Sequence, residues 1–498
     1  MQRSVTLTVV FCLSVWFLGT GAGSAGIATN WVDPIGQIQA QDEAVYAAST
    51  FTMVEQGDWL TPHFMNRLAL HKPPLLYWLS GGSVRILGKS PSALRWPSVL
   101  AGAGTITLVL AWVWRAAPLS AALTAALLLA SSHLFFVLSR VAMTDGLLVF
   151  EIVAALFAVH RDPAFTRRST PWLVGVACGA AILTKAIAGT LPLAICGLSY
   201  IFSLERPGIR RVLQTGLVLA AVALPWHLYQ IWVHPRWFWT EYVLRELFAK
   251  GMGSPAQTSG ESQVWFYATR LVELDPVLLG LAGAAAFRVR PGLIASWIVV
   301  TLATALSFHY RNVSYILPVF PALAILVGLA IPEKLSRAAL VVAMLIVGIK
   351  AGASGRPWGL PFAPEFVNPS HAALDEYAAL HRGRELIIVE PDDQFYAALI
   401  HLPRVRYLFL GDPGPMGADP LDFWYLGVTV DADDFDRMGE LLPVFEKRLR
   451  EFGLPSTKAA GTVIWARDKG RLDKFIVAHP RTDFYVPQAG GRVFLLGQ

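Results

Sequence analysis

Residues 118–138 read PLSAALTAALLLASSHLFFVL and contain no Asp, Glu, Lys or Arg. A run of that length and composition matches a hydrocarbon layer roughly 30 Å thick, and lipid gives bare backbone no hydrogen-bond partner, so the run is expected to cross a membrane as a helix. Similar runs recur on either side: about 5–27, 92–114, 143–160, 171–186, 188–204, 212–232, 272–287, 291–308, 314–331 and 336–354. With 54% hydrophobic and only 15% charged residues over 498 positions, the chain has too much apolar surface for one water-soluble core. The expected fold class is therefore a polytopic α-helical membrane protein of about eleven transmembrane helices.

The basic residues set the expected orientation. Arg115, Arg161, Arg167, Arg168, Arg206, Arg210, Arg211, Arg288, Arg290, Lys334 and Arg337 fall in alternate loops, while the other short loops carry almost none. By the positive-inside rule the Arg-rich loops are cytoplasmic. The segment 5–27 has a signal-peptide look, with Arg3 before it and small residues from Gly19 to Gly26, but is read as a retained first helix. The loops 28–91 and 233–271 and everything from 356 on then face the opposite, periplasmic compartment of an inner membrane. The net charge of +6 is mostly this topological signal and does not argue for nucleic acid. Cys12, Cys178 and Cys196 all lie in expected spans, so no disulfide framework or Cys-based metal site is available.

Two domains are expected, a membrane domain over 1–355 and a soluble α/β domain over 356–498. Past Gly355-Arg356-Pro357 the composition shifts to that of a soluble unit. Strands are expected at 385–389, 405–410, 462–466 and near Phe484, and helices at 394–401, 433–452 and 470–479. That alternation favours an α/β layer domain. Nothing in it resembles a phosphate loop or catalytic triad, so a covering or acceptor-docking role is expected.

The chemistry is expected in the two long outward loops. The first holds Asp42, Glu43, Tyr46, Asp58, His63, Arg67, His71 and Lys72, the last followed by Pro73-Pro74, which stiffens the chain where the ammonium is presented. Asp42-Glu43 also suits a plain helix N-terminus, where carboxylates are favoured. Trp59, Tyr77 and Trp78 read as aromatic anchors at headgroup level. Arg140 and Asp145, Lys185, and His309-Tyr310-Arg311 fall at the ends of short loops. Each alone is consistent with a snorkelling anchor, but several cations converging from separate segments suit a phosphate. Glu151 falls inside a span and must be paired or face a wet cavity. The second loop runs through His234-Pro235, Arg245, Glu246 and Lys250 into a small, polar stretch from Gly251 to Ser262, read either as a substrate-gated flap or as a plain connection.

Taken in order, several motifs are similar to those of the GT-C glycosyltransferases. They are Asp42-Glu43 with Tyr46, Gly57-Asp58-Trp59, Lys72-Pro73-Pro74 with Tyr77-Trp78, Arg95, Arg140 to Asp145, Leu183-Thr184-Lys185, Pro225-Trp226, His234-Pro235 and Tyr315-Ile316-Leu317-Pro318. The chain resembles in particular the lipid A aminoarabinose transferase and dolichyl-phosphate-mannose-protein mannosyltransferase-like bacterial branch, over about residues 30–330. The resemblance implies transfer of a sugar, with inversion, from a polyprenyl-phosphate donor to a lipid, glycan or protein acceptor. It implies Asp42 as the catalytic carboxylate with Glu43 supporting it, and Lys72, Lys185, Arg245, Lys250 and Arg311 as the donor-phosphate cations. Tyr46, His71, Arg140, Asp145, Glu246 and Tyr315 are then supporting residues. The lipid A branch usually has Glu where this chain has His71, His at Leu247, Arg at Lys250 and Gly at Ala186. No cofactor is expected to be required, with a divalent metal left open.

Two readings from other classes stand beside this one. A transporter or flippase of lipid-linked substrates would also be polytopic, but no internal repeat of the kind common in transporters is found. A noncatalytic envelope scaffold would keep the spans and tolerate loss of Asp42.

Overall fold

The computed structural model describes residues 2–22, 42–64, 67–68, 72–203, 205–249, 262–289, 292–308 and 311–353, together with five short strands between 385 and 496. The helices in chain order are α1 (Gln2–Gly19), α2 (Asp42–Gln56), α3 (Leu75–Leu87), α4 (Pro91–Val113), α5 (Leu119–Ala130), α6 (His133–Leu138), α7 (Thr144–Arg161) and α8 (Ser169–Lys185). They continue with α9 (Leu191–Ile201), α10 (Ile209–Val233), α11 (Gln263–Leu274), α12 (Pro276–Ala286), α13 (Leu293–Ser307), α14 (Val319–Ala330) and α15 (Ser336–Ala353). Their starts follow local chemistry. Ser90 caps α4, accepting from the Ala93 amide with Pro91 in the first helical position, and Asp275 caps α12 through the Leu278 amide.

Among the described residues, five stretches are long and apolar enough to cross a membrane: Gln2–Gly19, Pro91–Val113, Ser169–Ile201, Ile209–Val233 and Val313–Ala330. The third is a hairpin, not a rod. At Ala186 the backbone takes φ 44°, and a 3-10 turn over Ala186–Thr190 folds back along α8. A Cβ at Gly189 would lie 2.3 Å from the Ala181 carbonyl, so only glycine fits there. The Tyr200 hydroxyl, near the end of α9, then donates to the Pro163 carbonyl in the loop that precedes α8 (2.9 Å). The expected pair of spans at 171–186 and 188–204 corresponds to these two arms. The expected span 118–138 is interrupted instead: α5 stops at Ala130 and α6 starts at His133. Ser131 turns its hydroxyl onto the Leu128 carbonyl, the local competition that makes serine a poor helix-interior residue.

Contacts between helix ends sort them onto two faces of the bundle. At the Arg-rich end, Arg3 lies over Trp114, Trp112 stacks on His160 (4.4 Å), and the Ser120 hydroxyl donates to Ser336 (2.8 Å). At the opposite end Arg95 meets Glu43, Lys185 meets Asp145, Lys350 meets Asp275, and Gln263 donates to the Phe308 carbonyl. Between the faces, α8 and α10 approach closely because Gly175 and Gly179 face Val218 and Val222, where a Cβ would come within 2.7 Å. This is the small-xxx-small packing of helices in lipid.

The expected loop 28–91 is partly helical: α2 begins at Asp42, and α3 follows directly on Pro73-Pro74, with the short strands β1 (His63–Phe64) and β2 (Arg67–Leu68) pairing antiparallel between them. Beyond the bundle, β3 (Glu385–Ile388) pairs in parallel with β4 (Val405–Tyr407) and β5 (Thr462–Trp465). The final strand β7 (Val493–Leu496) pairs antiparallel with β5 and with β6 (Thr482–Tyr485), giving the order β4-β3-β5-β7-β6. The sequence reading anticipated β3 to β6 and missed β7; the helices expected at 394–401, 433–452 and 470–479 lie outside the described residues.

Asp162 organises the loop between α7 and α8. It accepts from the amides of Thr166 and Arg167 and from the hydroxyls of Thr166 and Thr170. Burial acts to raise its pKa, but these hydrogen bonds outweigh it and hold the carboxyl below the usual range. Asp162→Ala should therefore lower stability by about 1–3 kcal/mol, read as a thermal-melting shift in detergent. Because the folded-state pKa is depressed, the wild-type contribution is full above roughly pH 4 and fades as pH falls toward the folded value.

Candidate active site

The end of the bundle away from the Arg-rich loops is built around a buried ion pair. Glu43, in the first turn of α2, accepts from Arg95 Nε and Nη2, both at 2.7 Å, and both side chains are about 1% exposed. Glu43 Oε1 also accepts from the Ala142 amide (2.8 Å), and Arg95 Nη1 donates to the Ala22 carbonyl (2.9 Å). Arg140 donates to the Thr20 carbonyl and lies over Phe136. Burial, with the Arg95 guanidinium beside it, pushes Arg140 down to about 9, which leaves it charged at neutral pH. Five segments thus meet here: the ends of α1 and α6, the starts of α2 and α4, and the turn into α7.

Next to this clamp lies a cavity of about 810 Å³, open space at its mouth included. Its polar wall comes from four remote segments: Lys72, Asp145, Lys185, and Ser314 with Tyr315. Lys185 Nζ is 2.7 Å from Asp145 Oδ1 and 5.4 Å from the Tyr315 ring centroid. Asp145 also bonds the Ser314 hydroxyl and feels the Lys72 charge. Leu148, Leu191, Ala305, Leu317 and Pro318 supply the apolar wall. Thr301, about 1% exposed, lines it with a hydroxyl that has no hydrogen-bond partner among the described residues. Two cations, one carboxylate and hydroxyls above an apolar floor suit an anionic headgroup on a hydrocarbon tail.

The two long loops pack on each other beside this cavity. Phe238 and Tyr242, in π-helical turns over Phe238–Ala249, cluster with Leu183 and Trp226, and Leu68, Leu75 and Trp78 of the first loop pack against them. Trp226 Nε1 and Gln230 Nε2 both donate to the Leu60 carbonyl (2.8 and 2.7 Å), and His234 approaches Thr61. Burial lowers the His234 pKa, and nearby His63 adds to the effect. The headgroup-anchor reading of Tyr77 and Trp78 is corrected here. Tyr77 is 2% exposed and packs on Tyr46, and Trp78 donates its indole N–H to the Trp59 carbonyl, so both rings serve to fold the loop onto itself.

Of the residues singled out from the sequence, Lys72, Asp145, Lys185 and Tyr315 come together in the cavity. Glu43, Arg140 and Tyr46 are buried but do not line it. Arg311 sits 5.8 Å over the Phe266 ring. It also acts on Tyr267, whose hydroxyl burial pushes up to about 12. Asp42 opens α2 next to Glu43. The side chains of Asp42, His71, Arg245, Glu246 and Lys250 lie outside the described residues. Sequence reasoning missed Ser314 and Thr301, which carry no charge to draw notice. It placed Arg95 only within a motif, although an Arg inside an expected span already signals a buried partner.

Residues 39–240 match the family model of dolichyl-phosphate-mannose-protein mannosyltransferase. The undecaprenyl phosphate-alpha-4-amino-4-deoxy-L-arabinose arabinosyl transferase of Pectobacterium carotovorum subsp. carotovorum (strain PC1) is 30% identical over 320 residues, 58% of this chain and 54% of that protein. The corresponding Sodalis glossinidius transferase 1 is 29% identical over 308 residues, with the same coverage. The chain thus spans about half the length of the curated relatives it matches. Among solved structures, ArnT from Cupriavidus metallidurans bound to undecaprenyl phosphate superposes with a TM-score of 0.68 at 16% identity, covering 99% of this chain and 98% of that one. The two proteins share a fold. The apo form of the same ArnT gives a TM-score of 0.66. The motif resemblance read over about residues 30–330 is thus met by the family model over residues 39–240, and the likeness of fold to ArnT extends over 99% of the chain.

Removing one partner of the buried pair strands the other as a bare charge, which costs about 3–5 kcal/mol. Arg95→Met should accordingly melt far below wild type in detergent, and the double variant Glu43→Leu with Arg95→Met should recover part of that loss.

Proposed function

We propose that this chain is an integral-membrane glycosyltransferase that moves a sugar from a polyprenyl-phosphate donor, with inversion, to a lipid, glycan or protein acceptor on the periplasmic side of the inner membrane. The observation that carries this reading is the convergence of Lys72, Lys185, Asp145 and Tyr315 on one cavity with an apolar floor, at the end of the bundle away from the Arg-rich loops. In support, the ArnT of the same fold binds undecaprenyl phosphate.

In this reading the Asp42 carboxylate takes the proton of an acceptor hydroxyl as its oxygen attacks the anomeric carbon. The bond from that carbon to the donor phosphate breaks on the opposite face, and polyprenyl phosphate leaves. Lys72, Lys185, Arg245, Lys250 and Arg311 stabilise the charge that builds on the leaving phosphate. Glu43, locked by Arg95 and the Ala142 amide, holds the first turn of α2 and with it the backbone of Asp42. Asp145 orients Lys185, and Tyr46, His71, Arg140, Glu246 and Tyr315 support the site. We assign no metal ion to the reaction, since His71 and Leu247 stand where the related branch has Glu and His.

The topology assigned to this enzyme has eleven crossings: α1, α4, α5 with α6, α7, α8, α9, α10, α12, α13, α14 and α15. It is supported by the helix-end contacts, which alternate between the Arg-rich face and the Glu43 face along the chain. A membrane domain then covers 1–355, with periplasmic loops 28–91 and 233–271. A periplasmic α/β domain covers 356–498, for which the mixed five-stranded sheet speaks.

Asp42→Asn should leave expression and polyprenyl-phosphate binding intact and abolish sugar transfer in a purified assay. Normal turnover would remove Asp42 from the mechanism, whereas a transporter would keep moving its substrate. Reporter fusions in the 161–168 loop and after Arg356 should report opposite compartments.

A further inference from the structure

Glu151 has no part in the transfer just described, yet it is a carboxyl in the interior of α7, 4% exposed. Its Oε1 lies 2.8 Å from Thr184 Oγ1, and its Oε2 is buried with no hydrogen-bond partner among the described residues. The same Thr184 hydroxyl lies 3.0 Å from the Ala180 carbonyl oxygen. A hydroxyl carries one proton and a carbonyl none, so if both contacts are hydrogen bonds the second proton belongs to the carboxyl. Energetics agree, because an ionised carboxylate with one oxygen buried away from any described donor is among the most unfavourable groups to hold inside a membrane. In the neutral form the acid O–H donates to Thr184 Oγ1 and the threonine O–H donates to Ala180.

We propose that Glu151 is a neutral carboxylic acid that acts, through Thr184, as a positioning residue for Lys185. The proposal rests on the reading of Lys185 as a donor-phosphate ligand. Thr184 immediately precedes Lys185, whose ammonium is held by Asp145 on the same helix as Glu151. Helix α7 therefore grips the last turn of α8 twice, just before the chain reverses at Ala186. There φ 44° strains a residue other than glycine. A neutral acid fixes the elbow without placing a second negative charge beneath a site meant for phosphate.

The test uses the full-length protein in detergent with a polyprenyl-phosphate sugar donor. Glu151→Gln keeps shape and neutrality, and should leave the donor KM within about twofold of wild type. Glu151→Leu and Thr184→Val remove the bond between the helices and should raise that KM about tenfold with little change in kcat. Infrared spectra at neutral pH should show a protonated-carboxyl C=O band in wild type that is missing in Glu151→Gln. Absence of that band difference would overturn the neutral acid. A wild-type KM in both Glu151→Leu and Thr184→Val, or a loss in Glu151→Gln as large as in Glu151→Leu, would overturn the positioning role. A wild-type protein that turns over no such donor would instead remove the functional reading on which the role of Lys185 rests, while the infrared band still decides the state of Glu151.

Discussion

The pairing of Glu43 with Arg95 in a nearly water-free setting is the contact on which the outer end of the molecule depends. A guanidinium in the first turns of a membrane helix is tolerable only if its donors are filled, and three of its bonds go to a carboxylate and a carbonyl from elsewhere in the chain. Meeting that demand pins α2, buried on all sides from Tyr46 to Phe51, to the mouth of the bundle. The Ala142 amide on Glu43 extends the same clamp to the turn that launches α7. Since α7 carries Asp145 in its first turn, the polar wall of the cavity inherits its position from this pair.

The rest of the site is a matter of where helices stop. Lys185 ends α8, Asp145 begins α7, and Ser314 and Tyr315 lie in the short turn before α14. Each reaches the cavity from a helix terminus, where the backbone can leave the hydrocarbon and side chains can carry charge. The two long loops then cover one side through aromatic packing, with Trp226 and Gln230 both holding the Leu60 carbonyl.

Apolar runs announced most of the bundle, because the length of a crossing is set by the lipid and not by the partners of the helix. The elbow at Lys185-Ala186 was legible as two adjoining runs with a cation between them. The break at Ser131-Ser132 was not, since two small, uncharged serines barely dilute a long apolar run. Charge made Lys72, Asp145 and Lys185 stand out. Ser314 did not stand out, because its partner lies far away in sequence and serine is common everywhere. Tyr77 and Trp78 were misread for a related reason: an aromatic near a membrane looks the same whether it meets headgroups or folds a loop.

Helix α8 has 17 residues, which at about 1.5 Å each comes to roughly 25 Å, short of the ~30 Å hydrocarbon layer. The other arm, α9, is shorter still at 11 residues, so both arms of the hairpin fall short of the bilayer, and the surrounding lipid must dimple toward the elbow or water must follow the ammonium of Lys185 inward. Either response sets the floor of the cavity beneath the plane of the neighbouring headgroups. An anionic lipid entering it would be drawn down out of its leaflet, to a depth at which Lys72 and Lys185 take over from the headgroup layer in answering its charge.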